Sequence, residues 1–310
     1  MQKSNIKGSA LLVLAALIWG LAFAAQSTAA AAAPPFFINS SRSIIGGVFL
    51  LILMLIKNRG KEILPSDKEQ KKTAIKGGII CGIVFSVSVN LQQFGFLFYP
   101  ENAPVEARSG FLTALYVILV PIISIFFKKK TGLSLWLAVL IAMGGIYMLC
   151  LSGGIDGVYI GDLFMFSCAV AFSFHIISID HFVDKVGGLR LSMLQLFVCG
   201  IISGILSLIF EFSGILWDKM VWADILSVTP NILYLGIMSS GIAYTLQVIG
   251  QRYAEPAVCS IAMSLESVFA ALGGWVIMKN ALTTPEIIGC ILVFAAIIIA
   301  QIPEMVQKKN

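Results

Sequence analysis

The chain is 310 residues long, 58% hydrophobic and only 12% charged, about half the charge of a typical soluble domain. So little polar surface cannot coat a water-soluble globule. The net charge of +5 invites a nucleic-acid reading, but the positions of the cations exclude it, because they alternate with apolar runs instead of forming one basic face.

A mean hydropathy of +0.95 comes from apolar stretches of about 20 residues, the length that crosses roughly 30 Å of hydrocarbon. In chain order they fall at about 8–28, 36–56, 75–98, 105–127, 133–151, 158–180, 191–212, 229–250, 257–278 and 283–302. The reading is an all-α polytopic membrane protein of ten transmembrane helices. When these ten are threaded, 17 of the 21 lysines and arginines lie on one side, Arg108, Lys219 and Lys279 on the other, and Arg42 inside a span. The positive-inside rule then puts both termini in the cytoplasm of a multi-pass cell-membrane protein.

The first run, with Lys3 and Lys7 before it and "STAAAAAPP" after it, has the look of a signal peptide. Its length, and the odd helix number that cleavage would leave, favour an uncleaved first helix. The six cysteines stand singly in apolar runs without a C-x-x-C pair, so neither a metal site nor a disulfide framework is indicated. No cofactor motif is present.

The two halves read alike. "NLQQFGFLFY" (Asn90–Tyr99) and "TLQVIGQRYA" (Thr245–Ala254) share Leu-Gln and a Gly three residues later. "LVPIIS" (Leu119–Ser124) falls over "LESVFA" (Leu265–Ala270), "ALIWGLAF" over "VAFSFHII", Arg42 over Gln195 and Gly47 over Gly200. Their shared order makes two repeats, 8–151 and 158–302. Five helices per repeat is an odd number, so the second repeat enters the membrane inverted, as in many secondary transporters.

Several polar residues in these spans are candidates for function. A charge inside a span costs at least about 2.5–3.5 kcal/mol on insertion scales. Two readings of Arg42 stand: it snorkels to the nearer interface, or it faces a water-filled cavity and grips an anionic group bidentately. Glu266 lies near mid-membrane, too deep for either surface, and is either a proton carrier or a structural acid. Asp162, Asp180 and Glu211 lie towards span ends, where water hydrates them. His175 is a titrating group or a helix contact. Trp19, Tyr116 and Tyr244 stack a substrate or pack. Asn90, Gln92 and Gln247 bind ligand or glue helices, and Gln195 is the polar counterpart of Arg42. Gly78-xxx-Gly82 and Gly200-xxx-Gly204 mark close helix contacts, and Pro121 kinks the fourth span.

Rival classes find little support. No H-E-x-x-H, G-x-S-x-G or phosphate-loop motif is present and the only histidines are His175 and His181, so an intramembrane enzyme lacks a nucleophile–base pair or ligand cluster. A channel needs a selectivity element that two non-identical halves do not offer. A non-transporting scaffold stays open.

"AALIWGLAFA", "PPFFINSSRSIIGG", "ARSGFLTALYVILVPIIS", "FHIISIDHF" and "SLESVFAALGGWVIM" resemble the EamA-type members of the drug/metabolite transporter superfamily, over nearly the whole chain. The resemblance implies ten helices, a central cavity lined by the first four helices of each half, and a peripheral fifth helix. It implies a secondary carrier that moves a small metabolite, an amino acid or related compound, most often outward, with protons as a candidate coupling ion. The implied substrate-binding set is Trp19, Arg42, Asn90, Tyr116, His175, Gln195 and Tyr244, with Glu266 for coupling. The chain departs from the pattern at Glu266-Ser267, where the family often has Glu-Pro, which softens the expected break in the ninth span. It departs also at Lys279-Asn280 in place of Gly-Glu, and at Arg108-Ser109 in place of a small-residue–Lys–Ala pattern.

The topology has a direct test. A cysteine placed in the 57–72 loop should react with a membrane-impermeant thiol reagent only after the cells are permeabilised; labelling of intact cells would overturn the assignment.

Overall fold

In hydrocarbon no water is available to the backbone, so each N–H and C=O must find its partner inside the protein. The apolar runs accordingly form helices. The computed structural model describes residues 5–57, 63–100, 105–127, 132–151, 157–216, 222–278 and 283–307, and among these no strand occurs. The Lys279-Asn280 departure lies outside the described residues.

Among the described residues the helices group into ten successive segments, with a short helix Trp222–Ser227 before the eighth. The first is Asn5–Ala32, the second Pro35–Lys57 and the third Lys68–Leu97. The fourth comes in two pieces, Val105–Ala114 and Tyr116–Phe126, and the fifth is Leu133–Leu151. The sixth, Ile160–Val186, and the seventh, Gly188–Leu206, are joined through Gly187 at φ 86, a left-handed turn that favours glycine. The eighth runs Thr229–Tyr234, a π-helical stretch Leu235–Ala243, and Tyr244–Gln251. The ninth is Pro256–Met263 and Leu265–Met278, and the tenth Thr284–Gln307. Eight of these are long and apolar enough to cross a membrane, and the first and last contribute the apolar segments Lys7–Ala22 and Thr284–Ala300. Ile56, Leu140, Ile201 and Ile291 are more than half exposed, as lipid-facing residues are.

Contacts between helices follow one symmetry. The third packs on the sixth and seventh, and the eighth on the first and second. The fourth packs on the sixth and the ninth on the first, while the second pairs with the seventh and the fifth with the tenth. Exchanging the two sets of five helices maps this pattern onto itself, as two inverted repeats require.

Small residues allow the close crossings, since helix association in lipid rests on packing and not on hydrophobic burial. A Cβ on Gly78 would stand 2.5 Å from Leu194 Cβ, and one on Gly82 2.5 Å from Val198 Cβ, which fixes the third helix against the seventh. Gly145 and Gly289 bring the fifth and tenth helices so near that a Cβ on either would strike the other's carbonyl oxygen, at 2.8 and 2.6 Å.

The ninth helix, with Ser267 in place of the family proline, was expected to be softened at its break; it is interrupted at Ser264 alone, whose N–H still donates to Ser260 O at 3.2 Å and whose hydroxyl donates to Ile261 O at 2.7 Å. The matching interruption in the fourth helix falls at Leu115, six residues before Pro121. Asp162 and Glu211 were expected to be hydrated at span ends; both are buried and paired within the protein. Asp162 accepts from Arg108 Nε at 3.2 Å, Tyr99 Oη at 2.9 Å and Tyr159 N at 2.9 Å. Glu211 reaches across from the π turn after the seventh helix to cap the second helix, accepting from Phe36 N at 2.7 Å, Phe37 N at 2.9 Å and Ser207 Oγ at 2.7 Å.

The cap is testable. Glu211→Ala strands two N–H groups at a helix start and should destabilise the protein by on the order of 2–4 kcal/mol, read as a lower thermal midpoint in detergent. Glu211→Gln, which keeps an acceptor, should lose less.

Candidate functional site

A cavity enclosing about 560 Å³ of space not filled by atoms, open mouth included, lies at the centre of the bundle. Helices one, two, three, four, six, eight and nine supply its walls; among the described residues the fifth and tenth supply none, and neither does the seventh, which was expected to.

Arg42 lines this cavity and is not extended to the interface. It sits seven residues into the second helix, about 10 Å along the axis. Its residue is 2% exposed, and its Nη2 has no hydrogen-bond partner. A buried guanidinium with a free donor is an anion-seeking group, because its desolvation is otherwise uncompensated. Glu266 lines the same cavity from the ninth helix, two residues past the interruption at Ser264. Thus one cation from the first half and one carboxylate from the second face a shared space.

Aromatic rings fix the wall between them. Trp19 lies 4.7 Å from Tyr244, centroid to centroid, and donates Nε1 to Ser239 O at 3.3 Å. That carbonyl belongs to the π-helical stretch, a distortion often found at functional sites. Tyr244 in turn lies edge-on to Phe85 at 4.5 Å. Tyr116 and Phe172 add two more rings.

Of the residues singled out in the sequence, Trp19, Arg42, Tyr116, Tyr244 and Glu266 are brought together at the cavity. Three are not. Asn90 holds the second, third and seventh helices together: its Oδ1 accepts from Asn39 Nδ2 at 2.9 Å and its Nδ2 donates to Ser203 Oγ at 2.9 Å. His175 and Gln195, both fully buried, bond to each other at 3.0 Å behind the wall, with the Phe85 ring tilted 30° to the imidazole at 5.0 Å between centroids.

Gln92 and Gln247, which occupy equivalent places in the two repeats, both line the cavity. Gln26 was missed by sequence reasoning; it lines the cavity and donates to Gln93 Oε1 at 3.1 Å and Gln92 Oε1 at 3.4 Å. The repeat match was the available signal for the first two. For Gln26, near the end of its apolar run, there was none.

An all-helical membrane bundle of two inverted halves around a central cavity, largely apolar with a few polar groups, is an architecture found in secondary transporters. The chain belongs to the EamA-like transporter family, whose model matches residues 6–151 and 159–301. An uncharacterized transporter of Archaeoglobus fulgidus is 28% identical over 233 residues, 73% of this chain and 69% of that protein. A protein of known crystal structure superposes with a TM-score of 0.73 at 20% identity, over 95% of this chain and 96% of its own. That likeness concerns the fold alone.

Cavity access is measurable by thiol labelling in a background with Cys150 and Cys290 replaced by Ala, since the other four cysteines are buried. Ala22→Cys, at the cavity wall, should react with a small water-soluble thiol reagent. Ser203→Cys, which is fully buried beside Asn90, should not.

Proposed function

We propose that this membrane transporter is a secondary carrier for a small metabolite bearing a carboxylate, an amino acid or related compound. It acts without catalysing a reaction and exports its substrate across the cell membrane, with both termini in the cytoplasm. The two repeats, 8–151 and 158–302, rock against each other and open the central cavity to either side in turn.

One observation carries the reading: Arg42 of the first repeat and Glu266 of the second line one cavity between the halves. A substrate carboxylate would satisfy the charge of Arg42, while Glu266 across the same cavity is left to carry a proton. Trp19, Tyr116 and Tyr244 would hold the rest of the substrate by their apolar faces. Asn90, His175 and Gln195 support this wall by fixing the helices behind it. Glu266 is suited to coupling, because it stands beside a helix interruption at the interface between halves. There it would hold a proton facing one side and release it facing the other.

Purified protein in liposomes tests both roles. Arg42→Gln should weaken substrates that carry a carboxylate by about 10–100-fold, the worth of a charge-assisted hydrogen bond, and neutral analogues much less. Equal loss for both would mark Arg42 as structural. Glu266→Gln imitates the protonated form. It should keep substrate exchange and lose accumulation driven by a pH gradient; unchanged accumulation would remove Glu266 as the proton carrier and leave uniport or another coupling ion.

A further inference from the structure

A second cavity lies at the end of the bundle to which the loop cations assign the cytoplasm. It holds about 780 Å³ of space not filled by atoms, open mouth included. Lys57, Arg190 and Arg252 line it, from the end of the second helix, the start of the seventh and the residue after the eighth, and among the described residues no acidic side chain does. Three cations on a shared cavity repel one another unless an anion joins them. Asp184, 58% exposed and itself outside the lining, meets Arg252 Nε at 3.1 Å, which leaves the terminal nitrogens of Arg252 to the cavity.

Arg190 is held in place. Its Nε donates to Ile63 O at 2.7 Å and its Nη1 to Val186 O at 3.2 Å, which leaves its other terminal nitrogen for a ligand. Met54 and Val186, each 4% exposed, give the cavity an apolar floor. The level matters as much as the charge: Lys57 ends the second helix and Arg252 follows the eighth, so the cations stand where the apolar helix surface stops. On the second helix, just before Lys57, Leu53, Leu55 and Ile56 are 39%, 38% and 70% exposed. A cationic hollow that adjoins a lipid-facing apolar flank is a place for a molecule with both parts.

We propose that this cavity binds an anionic phospholipid, its phosphate held by Lys57, Arg190 and Arg252 and its acyl chains laid against the second helix. Basic pockets between helices on the cytoplasmic face bind anionic headgroups in this way. The second helix belongs to the first repeat, and the seventh and eighth to the second. A headgroup seated here therefore ties the two halves together at this end and favours the conformations in which the end is closed. The inference rests on the fold and not on the substrate reading.

Titration of the delipidated full-length protein with short-chain phosphatidylglycerol, followed by native mass spectrometry, tests it. The wild type should retain one phosphatidylglycerol more tightly than phosphatidylcholine. The double variant Lys57→Gln/Arg252→Gln should lose tenfold or more in affinity for it, while Lys71→Gln/Lys72→Gln, with the same change in net charge, should keep it. Equal affinity for the two lipids, or equal loss in both double variants, would overturn the site. Inorganic phosphate should compete only at far higher concentration than the lipid; competition at equal concentration would assign the cavity to a free phosphate and overturn the lipid.

Discussion

The whole architecture answers to one constraint: a charge placed in hydrocarbon must find its counter-charge, its hydrogen bonds or its water inside the protein. Three solutions are visible. Arg108 and Asp162 neutralise each other between the fourth and sixth helices, with Tyr99 and Tyr159 completing the cage: Arg108 lies 4.6 Å from the Tyr159 ring centroid. Glu211 spends its charge on the free N–H groups of the second helix, where a carboxylate is favoured by the helix dipole as well. Arg42 alone of these leaves a donor without a partner and faces the central cavity. The first two hold helices in place, and the third opens the interior to something else.

The same constraint explains what the sequence showed and what it withheld. Ten spans and two repeats were legible because bilayer thickness sets length and an odd helix count sets orientation. A lone charge such as Arg42 was legible as an oddity, but not its direction, since a snorkelling arginine and a cavity arginine share the same one-dimensional surroundings. Asn90, Gln195 and His175 were drawn into the candidate site because polarity inside a span reads the same whether a side chain meets a ligand or another helix. Only the partners, Asn39 and Ser203 for Asn90 and Gln195 for His175, separate the two roles. The pairing of Arg108 with Asp162 spans 54 residues, and no local pattern announces it.

The repeat relation also exposes an asymmetry that bears on mechanism. At one end, Gly161 of the sixth helix is so close to the third that a Cβ there would stand 2.7 Å from the Tyr99 ring and 2.9 Å from Gly95 O. At the other, a Cβ on Gly8 of the first helix would stand 2.8 Å from both Ala254 Cβ and Gly250 O. The repeat match sets Gly95 over Gly250 and Tyr99 over Ala254, so these are one crossing used twice, once at each end.

Their chemistry differs. Tyr99 carries its hydroxyl to Asp162, and through it the crossing joins the buried pair with Arg108. Ala254 carries nothing beyond a methyl group, and beside it Lys7 merely rests 4.8 Å from the Tyr253 ring centroid. If the halves rock as proposed, these two crossings would be the contacts to part in turn. Separating small residues forfeits dispersion over a few atoms. Separating an ion pair strands two charges until water reaches them. Opening the end held by Arg108 and Asp162 would therefore require water to reach the pair, and neither residue lines the central cavity.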